Sequence, residues 1–294
     1  MIKKGIILAG GKGSRLSPLT KIINKQLLPL YDKPLIFYPL SILMLSGIKD
    51  ILIITNPNEN KHFEKILGNG SNFGIKIQYL EQKKPNGLPE AFIIGEKFIN
   101  NQSVALILGD NFFYGQGFTN RLRKITKQKT RSTIFVYRVN NPEDYGIIEM
   151  QNKKILSIKE KPKKSKSNLA ITGLYFFDKN VVSLSKTLRP SKRKELEIVD
   201  LIKKYHIKNK IKVEFMGRGS VWLDTGNIEN FFETSQYIAT VEKRQGQKIA
   251  CLEEIALNNE WINKLKIIEQ IKFYGNCDYS KYLKKLILNN ENKN

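Results

Sequence analysis

The chain has 294 residues, of which 41% are hydrophobic and 26% are charged, and its formal net charge at pH 7 is +23. These proportions are ordinary for a globular protein that buries a sizeable core, as one large domain or as one domain with a smaller appendage. With 2 cysteines and no stretch of about twenty apolar residues, the sequence argues against a disulfide framework, a thiolate metal site and a membrane span.

The positive charge comes mostly from lysines spread along a chain that is also rich in Ile and Asn, which we interpret as a compositional bias. We expect the densest basic cluster, KPKKSKS (161–167), to be a solvated loop. A basic nucleic-acid-binding protein is the alternative, but we expect neither a nucleic acid nor a membrane as partner. The apolar run of MIKKGIILAGG stops at its glycines, unlike that of a signal peptide, so we expect a cytoplasmic protein.

Short apolar runs alternate with helical patterns through the first half of the chain. The predicted strands are GIILAG (5–10), DILIITN (50–56), IKIQYLEQ (75–82) and VALILGD (104–110). The predicted helices are PLIFYPLSILMLSG (34–47), NENKHFEKILG (58–68) and LPEAFIIGEKFI (88–99). Apolar strands that are interleaved with helices indicate a parallel sheet that is covered on both faces.

In the second half, strands follow one another closely before the chain becomes helical. The predicted strands are 132–139, 146–162 with a hairpin turn at QNKK (151–154), 170–178, 212–217 and 221–223. We predict a helix over 195–206, a second one from Asn227 onward, and two more amphipathic stretches within 251–288.

The segment LAGGKGSRLSPLTKIINKQLLPL (8–30) follows the first strand, where open α/β sheets bind ligands. It fits neither of two familiar phosphate loops: Leu16 replaces the third glycine of a dinucleotide fingerprint, and no Gly-Lys-Ser/Thr run exists. Backbone N–H groups of Gly10-Gly11-Lys12-Gly13 can wrap an anion, while Arg15 and Lys25 can bind phosphate oxygens. A tight turn with surface charges explains the glycines equally well.

Two aspartates end predicted strands, Asp110 in VALILGD and Asp224 in WLDTG. Each alone could cap a helix or a turn. Together, at strand ends that face one cleft, the two carboxylates could hold Mg²⁺ against substrate phosphates. Nothing in the sequence suggests an activated Ser, Cys or His nucleophile, and we assign no catalytic role to His62 or His206.

The combined segments resemble the nucleoside-diphosphate-sugar pyrophosphorylase family over nearly the whole chain. The similarity begins in LAGGKGSRLSPLTKIINKQLLPLYDKPLIFYPL and continues, in the family's order, through QKKPNGLPEAF, LGDNFFYG, EDYGIIE, KEKP, TGLYFFD, ELEIVD and WLDTG. The match of KQLLPLYDKPLIFYPLSILMLSGIKDILI favours the thymidylyl branch of the family, and the uridylyl branch is the alternative.

The resemblance implies an α/β protein with a Rossmann-like nucleotidyltransferase fold, in which helices cover both faces of a mostly parallel mixed sheet. A sugar-binding β insertion and C-terminal helices complete that fold. The implied domains are a nucleotidyltransferase domain over 1–240, with a nucleotide half at about 1–130 and a sugar-binding half at about 131–226, and a helical appendage over 241–294. As in the family, we expect a homotetramer.

The resemblance also implies the reaction. An oxygen of glucose 1-phosphate attacks the α-phosphorus of dTTP in line, pyrophosphate leaves, and Mg²⁺ is the cofactor, as the first step of dTDP-L-rhamnose and deoxysugar synthesis. Such chemistry depends mainly on positioning and charge neutralisation.

Site residues carry over from the family one by one. The implied catalytic residues are Arg15, Lys25 and Lys161. The implied nucleotide-binding residues are Gly10, Gly11, Gln26, Gln82, Pro85, Gly87 and Asp110. The implied sugar-binding residues are Tyr145, Gly146, Glu160, Gly173 and Tyr175. The implied metal ligands are Asp110 and Asp224.

Some positions depart from the family's usual residues. Asn86 and Pro89-Glu90 stand where Asp and Ala-Gln are usual, and Pro89 suits the first turn of a helix. Gln116 and Asn258 stand where a His and a basic residue are frequent near a second, regulatory nucleotide site. We therefore make no prediction of feedback regulation.

Overall fold

A computed structural model describes residues 1–128 and 132–291. In chain order its strands are β1 Lys4–Ala9, β2 Pro29–Leu30, β3 Lys33–Pro34, β4 Asp50–Thr55, β5 Lys76–Glu81, β6 Val104–Leu108, β7 Asn111–Gly115, β8 Ser132–Arg138, β9 Gly146–Gln151, β10 Lys154–Glu160, β11 Leu169–Phe177, β12 Ile211–Phe215 and β13 Ser220–Asp224. Its α-helices are α1 Phe37–Leu45, α2 Asn60–Leu67, α3 Glu90–Ile94, α4 Glu96–Ile99, α5 Phe118–Lys127, α6 Val181–Lys186, α7 Ile198–Ile207, α8 Ile228–Gln245, α9 Leu252–Asn258, α10 Lys264–Tyr274 and α11 Asp278–Glu291.

The main sheet is mixed and has 9 strands. Strands β5, β4, β1 and β6 lie side by side and are all parallel, which confirms the parallel sheet predicted from the apolar runs. Strand β11 pairs antiparallel with β6, β8 and β9, and β12 runs parallel to β8. The predicted hairpin is also present, since β9 and β10 pair antiparallel and the turn residues Asn152 and Lys153 have positive φ.

Helices cover both faces of this sheet, as predicted. One face buries apolar side chains of α1, α2, α5 and α9, including Leu40, Phe63 and Leu122. The other face buries side chains of α3, α4, α6 and α7, including Phe92 and Tyr205. The fold class expected from the sequence is therefore confirmed: an α/β protein with a covered, mixed sheet.

Several elements differ from the sequence-based expectation. The predicted helix 88–99 is two short helices that meet at Gly95, and the segment 251–288 contains three helices instead of two stretches. Strand β7 and helices α5 and α6 were not predicted. The boundary expected near residue 130 lies outside the described residues. None of the helices in the described ranges is long and apolar enough to cross a bilayer.

Candidate active site

A cleft of about 340 Å³ opens beside the carboxyl ends of β1 and β6, a size typical of small-molecule sites. The strand order reverses at this point, because β4 and β5 lie on one side of β1 and β6 lies on the other. All the expected site residues line the cleft except Lys25 and Gln26: Gly10, Gly11, Arg15, Gln82, Pro85, Gly87, Asp110, Tyr145, Gly146, Glu160, Lys161, Gly173, Tyr175 and Asp224.

The glycine loop after β1 is held by an asparagine that sequence analysis did not single out. The N–H of Gly11 donates to Asn56 Oδ1 at 2.8 Å, and Asn56 Nδ2 donates back to the Gly11 carbonyl at 3.1 Å. Asn56 Nδ2 also donates to Glu59 Oε2 at 2.9 Å. Gly11 adopts φ 100°, which disfavours any residue with a side chain. The loop therefore has a fixed shape before any ligand binds.

Lys25 lies behind the cleft and contacts one of its carboxylates. It begins a short 3₁₀ helix, Lys25–Leu27, which Asn24 caps by accepting the N–H of Gln26 at 2.8 Å. Only 7% of the Lys25 surface is exposed, and its Nζ lies 2.6 Å from Asp110 Oδ2. The cation that the sequence assigned to substrate phosphates is paired with Asp110 in the structure.

Arg15 is exposed and lies near Asp224, the second carboxylate of the cleft. A Cβ added to Gly226 would stand 2.8 Å from Arg15 Nη2 and 3.0 Å from Asp224 Oδ1. Glycine at 226 thus leaves room for the guanidinium beside Asp224. Lys25 therefore contacts Asp110, and the charges of both Lys25 and Arg15 act on Asp224.

Asp110 and Asp224 are neighbours because the ribbon of β7 and β13 pairs Asp224 with Asn111. The Thr225 N–H and hydroxyl both donate to the Asp110 carbonyl, at 3.1 Å and 2.8 Å. Burial alone would raise the pKa of Asp110, but the Lys25 ammonium and its hydrogen bond hold that pKa below the usual range. For Asp224, burial and the charge of Asp110 raise the pKa to about 6.

A divalent cation fits this pair. Burial and then the charge of Asp110 raise the pKa of Asp224 against the opposing effect of Lys25 and Arg15. Two carboxylates plus phosphate oxygens are ligands that Mg²⁺ prefers. Among the described residues, no group of three or more His, Cys, Asp or Glu side chains is placed to hold a metal ion. Any metal at Asp110 and Asp224 would thus need further oxygens from a substrate or water.

Asn111 organises the centre of the cleft and was not recognised in the sequence. Its Oδ1 accepts from Trp222 Nε1 at 2.6 Å and from the Gly173 N–H at 3.1 Å, while its Nδ2 donates to Asp110 Oδ1 at 2.9 Å. A Cβ at Gly173 would stand 2.4 Å from Asn111 Oδ1, so this contact requires glycine. The position of Asn111 directly after Asp110, at the same strand end, was the signal available.

The expected sugar side of the cleft is built from β9, β10 and β11. The Tyr145 ring packs against Trp222 at 5.2 Å between centroids, and the Lys161 N–H donates to the Tyr145 carbonyl at 3.0 Å. Glu160 Oε1 accepts from Arg193 Nη2 at 3.0 Å. Burial, followed by the charge of Glu197, raises the pKa of Glu160.

The remaining sugar-side residues differ in accessibility. Tyr175 is 3% exposed and stacks on Phe177, so only a small part of it reaches the cleft. Arg193 lines the cleft and donates to Glu197 Oε2 at 2.8 Å. Sequence analysis missed it because it belongs to the run PSKR (190–193), which resembles a solvated loop.

The expected base pocket lies between the glycine loop and residues 82–88. Gly87 adopts φ 106°, and a Cβ there would stand 2.1 Å from the Leu196 carbonyl oxygen. The Leu196 N–H donates to the Asn86 carbonyl at 2.7 Å, so the pocket wall is anchored to the sugar side. Gln26 is 2% exposed, and its Oε1 is buried with no hydrogen-bond partner among the described residues. That oxygen is suited to accept from a ligand.

Comparison with known proteins was consistent with this geometry. Residues 4–241 match the family model described as Nucleotidyl transferase. The chain is 50% identical to glucose-1-phosphate thymidylyltransferase of Neisseria meningitidis over 285 residues, which cover 97% of this chain and 99% of that protein.

Two solved structures are similar. One, assigned as a glucose-1-phosphate thymidylyltransferase of Bacillus anthracis and solved with sucrose, has a TM-score of 0.74 at 38% identity and covers 80% of this chain and 94% of that one. The other, a UDP-glucose pyrophosphorylase with UDP-glucose bound, has a TM-score of 0.71 at 28% identity and covers 83% of this chain and 100% of that one.

Proposed function

The chain belongs to the nucleotidyl transferase family, and from that premise we propose that it forms dTDP-glucose and pyrophosphate from dTTP and glucose 1-phosphate. The observation that carries the proposal is the pair Asp110 and Asp224, flanked by Lys25 and Arg15, at the strand ends that open on the cleft. Among the residues described as lining that cleft, none is Ser, Thr, Cys or His. This set of groups suits a direct displacement at phosphorus.

The chain's own residues act mainly by position and charge. The Gly11 N–H is already held by Asn56 Oδ1, so the rest of the glycine loop presents its backbone to the nucleotide, and Arg15 neutralises the departing pyrophosphate. On the sugar side, Lys161 holds the phosphate of glucose 1-phosphate, and Glu160 accepts from sugar hydroxyls. Lys25 holds Asp110 until substrate arrives and adds positive charge beside the phosphates.

Asp110 and Asp224 would hold Mg²⁺. When bound, the ion would neutralise phosphate charge and orient the phosphates for in-line attack. The donor set supports this, since two partly buried carboxylates lie side by side and the pKa of Asp224 is raised.

The activity is tested by incubating the purified protein with dTTP, glucose 1-phosphate and Mg²⁺ and measuring pyrophosphate release and dTDP-glucose. We expect turnover to stop in excess chelator. We also expect Asp224→Asn to lose most of the turnover while the fold stays intact. Full activity in chelator, or in a variant with both aspartates changed to Asn, would refute the metal site.

The proposal also covers the domains, the location and the pathway of the protein. The two domains are 1–240 and 241–294. The protein works in the cytoplasm, where nucleoside triphosphates are made, and its product enters dTDP-L-rhamnose and deoxysugar synthesis. A homotetramer is supported by large apolar side chains exposed on C-terminal helices, such as Phe232, Leu265 and Phe273. Light scattering tests the tetramer; a monomer at assay concentration would refute it.

A further inference from the structure

Two asparagines each hold the backbone of one element beside the paired carboxylates. Asn56 exchanges two hydrogen bonds with the backbone of Gly11 in the glycine loop. Asn24 is 7% exposed and caps the 3₁₀ helix Lys25–Leu27, because its Oδ1 accepts the N–H of Gln26 at 2.8 Å. In both side chains the oxygen is committed to a backbone N–H, so the amide nitrogen faces the other way.

One carboxylate oxygen, Glu59 Oε2, joins the two asparagines. It accepts from Asn24 Nδ2 at 2.5 Å and from Asn56 Nδ2 at 2.9 Å. A carboxylate accepts hydrogen bonds and cannot donate them, so it favours the same amide orientation that the backbone contacts require. The two elements also touch, since a Cβ added to Gly13 would stand 3.3 Å from Lys25 Cβ. A single oxygen atom therefore couples the glycine loop to the helix that begins at Lys25.

Glu59 lies on a turn between β4 and α2 that is itself fixed by side chains. The Thr55 hydroxyl donates to Asn60 Oδ1 at 2.6 Å, and the Asn58 N–H donates to Glu81 Oε1 at 2.8 Å. These contacts tie the turn to β4 and to β5, two neighbouring strands of the sheet. The turn therefore presents the Glu59 carboxylate to the asparagines from a fixed backbone.

Without Glu59, the two asparagines would keep only their contacts to backbone carbonyls. Asn24 Nδ2 also donates to the Ala9 carbonyl at 3.3 Å, and Asn56 Nδ2 also donates to the Gly11 carbonyl at 3.1 Å. Both distances are longer than those to Glu59, and hydrogen bonds to a charged acceptor are the stronger ones. Loss of the carboxylate would leave the loop and the helix free to move independently of each other.

We propose that Glu59 is a positioning residue that sets the glycine loop and Lys25 in one arrangement for the triphosphate. The inference rests on the proposed function, because it takes this loop and Lys25 as the place where the outer phosphates of dTTP bind. Glu59 is absent from the described lining of the cleft. It therefore acts through the two asparagines and not by contact with the substrate.

The test uses Glu59→Ala and compares the binding of dTTP with that of dTMP. Since dTMP lacks the two phosphates that leave as pyrophosphate, the ratio of the two dissociation constants isolates the outer phosphates. We measure both constants by calorimetry with Mg²⁺ and without sugar phosphate. We expect the preference for dTTP over dTMP to fall about tenfold, the value of about one hydrogen bond. Steady-state kinetics should show a similar loss in kcat/KM for dTTP, with KM for glucose 1-phosphate unchanged.

Glu59→Gln separates the hydrogen bonds from the charge. Its carbonyl oxygen can accept from both asparagines while the negative charge is gone, so we expect a ratio within about threefold of the parent. Glu64→Ala is the matched control, because it removes an exposed glutamate from the adjoining helix α2 and should leave the ratio unchanged. Glu59→Met fills a similar space without an acceptor and replaces Glu59→Ala if that variant does not fold.

Two results would overturn the proposal. If Glu59→Ala or Glu59→Met weakens dTTP and dTMP equally, or raises KM for both substrates alike, Glu59 only supports the fold. If Glu59→Gln loses as much as Glu59→Ala, the charge of Glu59 matters and its hydrogen bonds to the asparagines do not.

The proposed function and this inference fail differently. A parent protein that binds dTTP more tightly than dTMP but makes no dTDP-glucose contradicts the function, while the binding ratio in Glu59→Ala still decides the role of Glu59. A parent that makes dTDP-glucose and keeps its binding ratio in Glu59→Ala contradicts the inference alone. A parent that binds dTTP no more tightly than dTMP contradicts the inference as well, because its loop would then hold no outer phosphates.

Discussion

Lys25 has two tasks in the proposed reaction, and Lys25→Ala removes both of them. It neutralises Asp110 in the resting structure, and it contributes positive charge where the phosphates would react. We expect Lys25→Ala to lower kcat by about 10²–10³, the usual loss when one preorganised charge contact to a developing oxyanion is removed. Steady-state kinetics measure this loss, with the exposed Lys97→Ala as control. A change confined to KM would show that Lys25 binds the ground state and the transition state alike.

The Asp224 carboxylate should lower the free energy of unfolding of the metal-free protein, because burial and the charge of Asp110 raise its pKa to about 6. When folding raises the pKa of a carboxyl group, the folded protein loses stability as the pH rises above the pKa of that group in the unfolded chain, because the folded state holds the ionised group less favourably. Asp224→Asn removes that charge, so we expect the free energy of unfolding at pH 7 in chelator to increase by about 1–2 kcal/mol. Urea denaturation measures it. A less stable variant would show that the neighbouring charges and hydrogen bonds fully offset the cost of burying the Asp224 carboxylate.

At the scale of elements, the contact between the 83–88 loop and the segment around Leu196 joins the two halves of the cleft. Gly87→Ala would bring a Cβ within 2.1 Å of the Leu196 carbonyl oxygen at a positive φ. We expect a loss of more than about 2 kcal/mol in unfolding free energy and a higher KM for the nucleotide. Gly117→Ala is the matched control, because φ there is 72° but nothing lies within 4 Å of the added Cβ. Equal losses of unfolding free energy in the two variants would mean that the contact between the loop and Leu196 does not stabilise the fold.

A helix or strand can be predicted from the sequence when its hydrophobic pattern is clear. Strand β1 is a buried apolar run and was predicted directly. Helix α5 also has apolar residues at helical spacing, Phe118, Leu122 and Ile125, but its other positions are mostly polar or basic, and the pattern was missed. Strand β7 was missed because its partner among the described strands is β13, far along the chain, and local patterns do not reveal such a pairing.

The site shows the same limit. Asp110 and Asp224 could be selected because each ends a strand, and the structure brings them together through β7 and β13. Asn111 offered one sequence signal, its place directly after Asp110, but Asn56 and Glu59 offered none, because the sequence does not show which partner an amide or a carboxylate contacts. Their roles depend on side-chain contacts such as Glu59 with Asn56, which appear only once the chain is folded.

At the scale of the whole molecule, a cleft whose described lining is charged and holds no Ser, Thr, Cys or His predicts a single displacement. We expect no exchange of labelled pyrophosphate into dTTP when glucose 1-phosphate is absent, since exchange needs a nucleotidyl-enzyme intermediate. The same reaction supplied with dTDP-glucose and labelled pyrophosphate should give labelled dTTP. Rapid exchange without any sugar phosphate would reveal a covalent intermediate that this cleft does not provide for.

The most direct test of the account is kcat/KM for dTTP, UTP, CTP, ATP and GTP with glucose 1-phosphate. Thymine and uracil present the same pairing edge to Gln82, so dTTP and UTP differ at the pocket by the C5 methyl and the ribose 2′-hydroxyl. A methyl-sized difference supplies about 1–3 kcal/mol of discrimination. We expect a moderate preference for dTTP over UTP and much poorer use of purines, whose larger rings must fit between Gly10-Gly11 and Pro85-Gly87. A clear preference for UTP would move the assignment to the uridylyl branch, and a preference for ATP or GTP would contradict the base pocket itself.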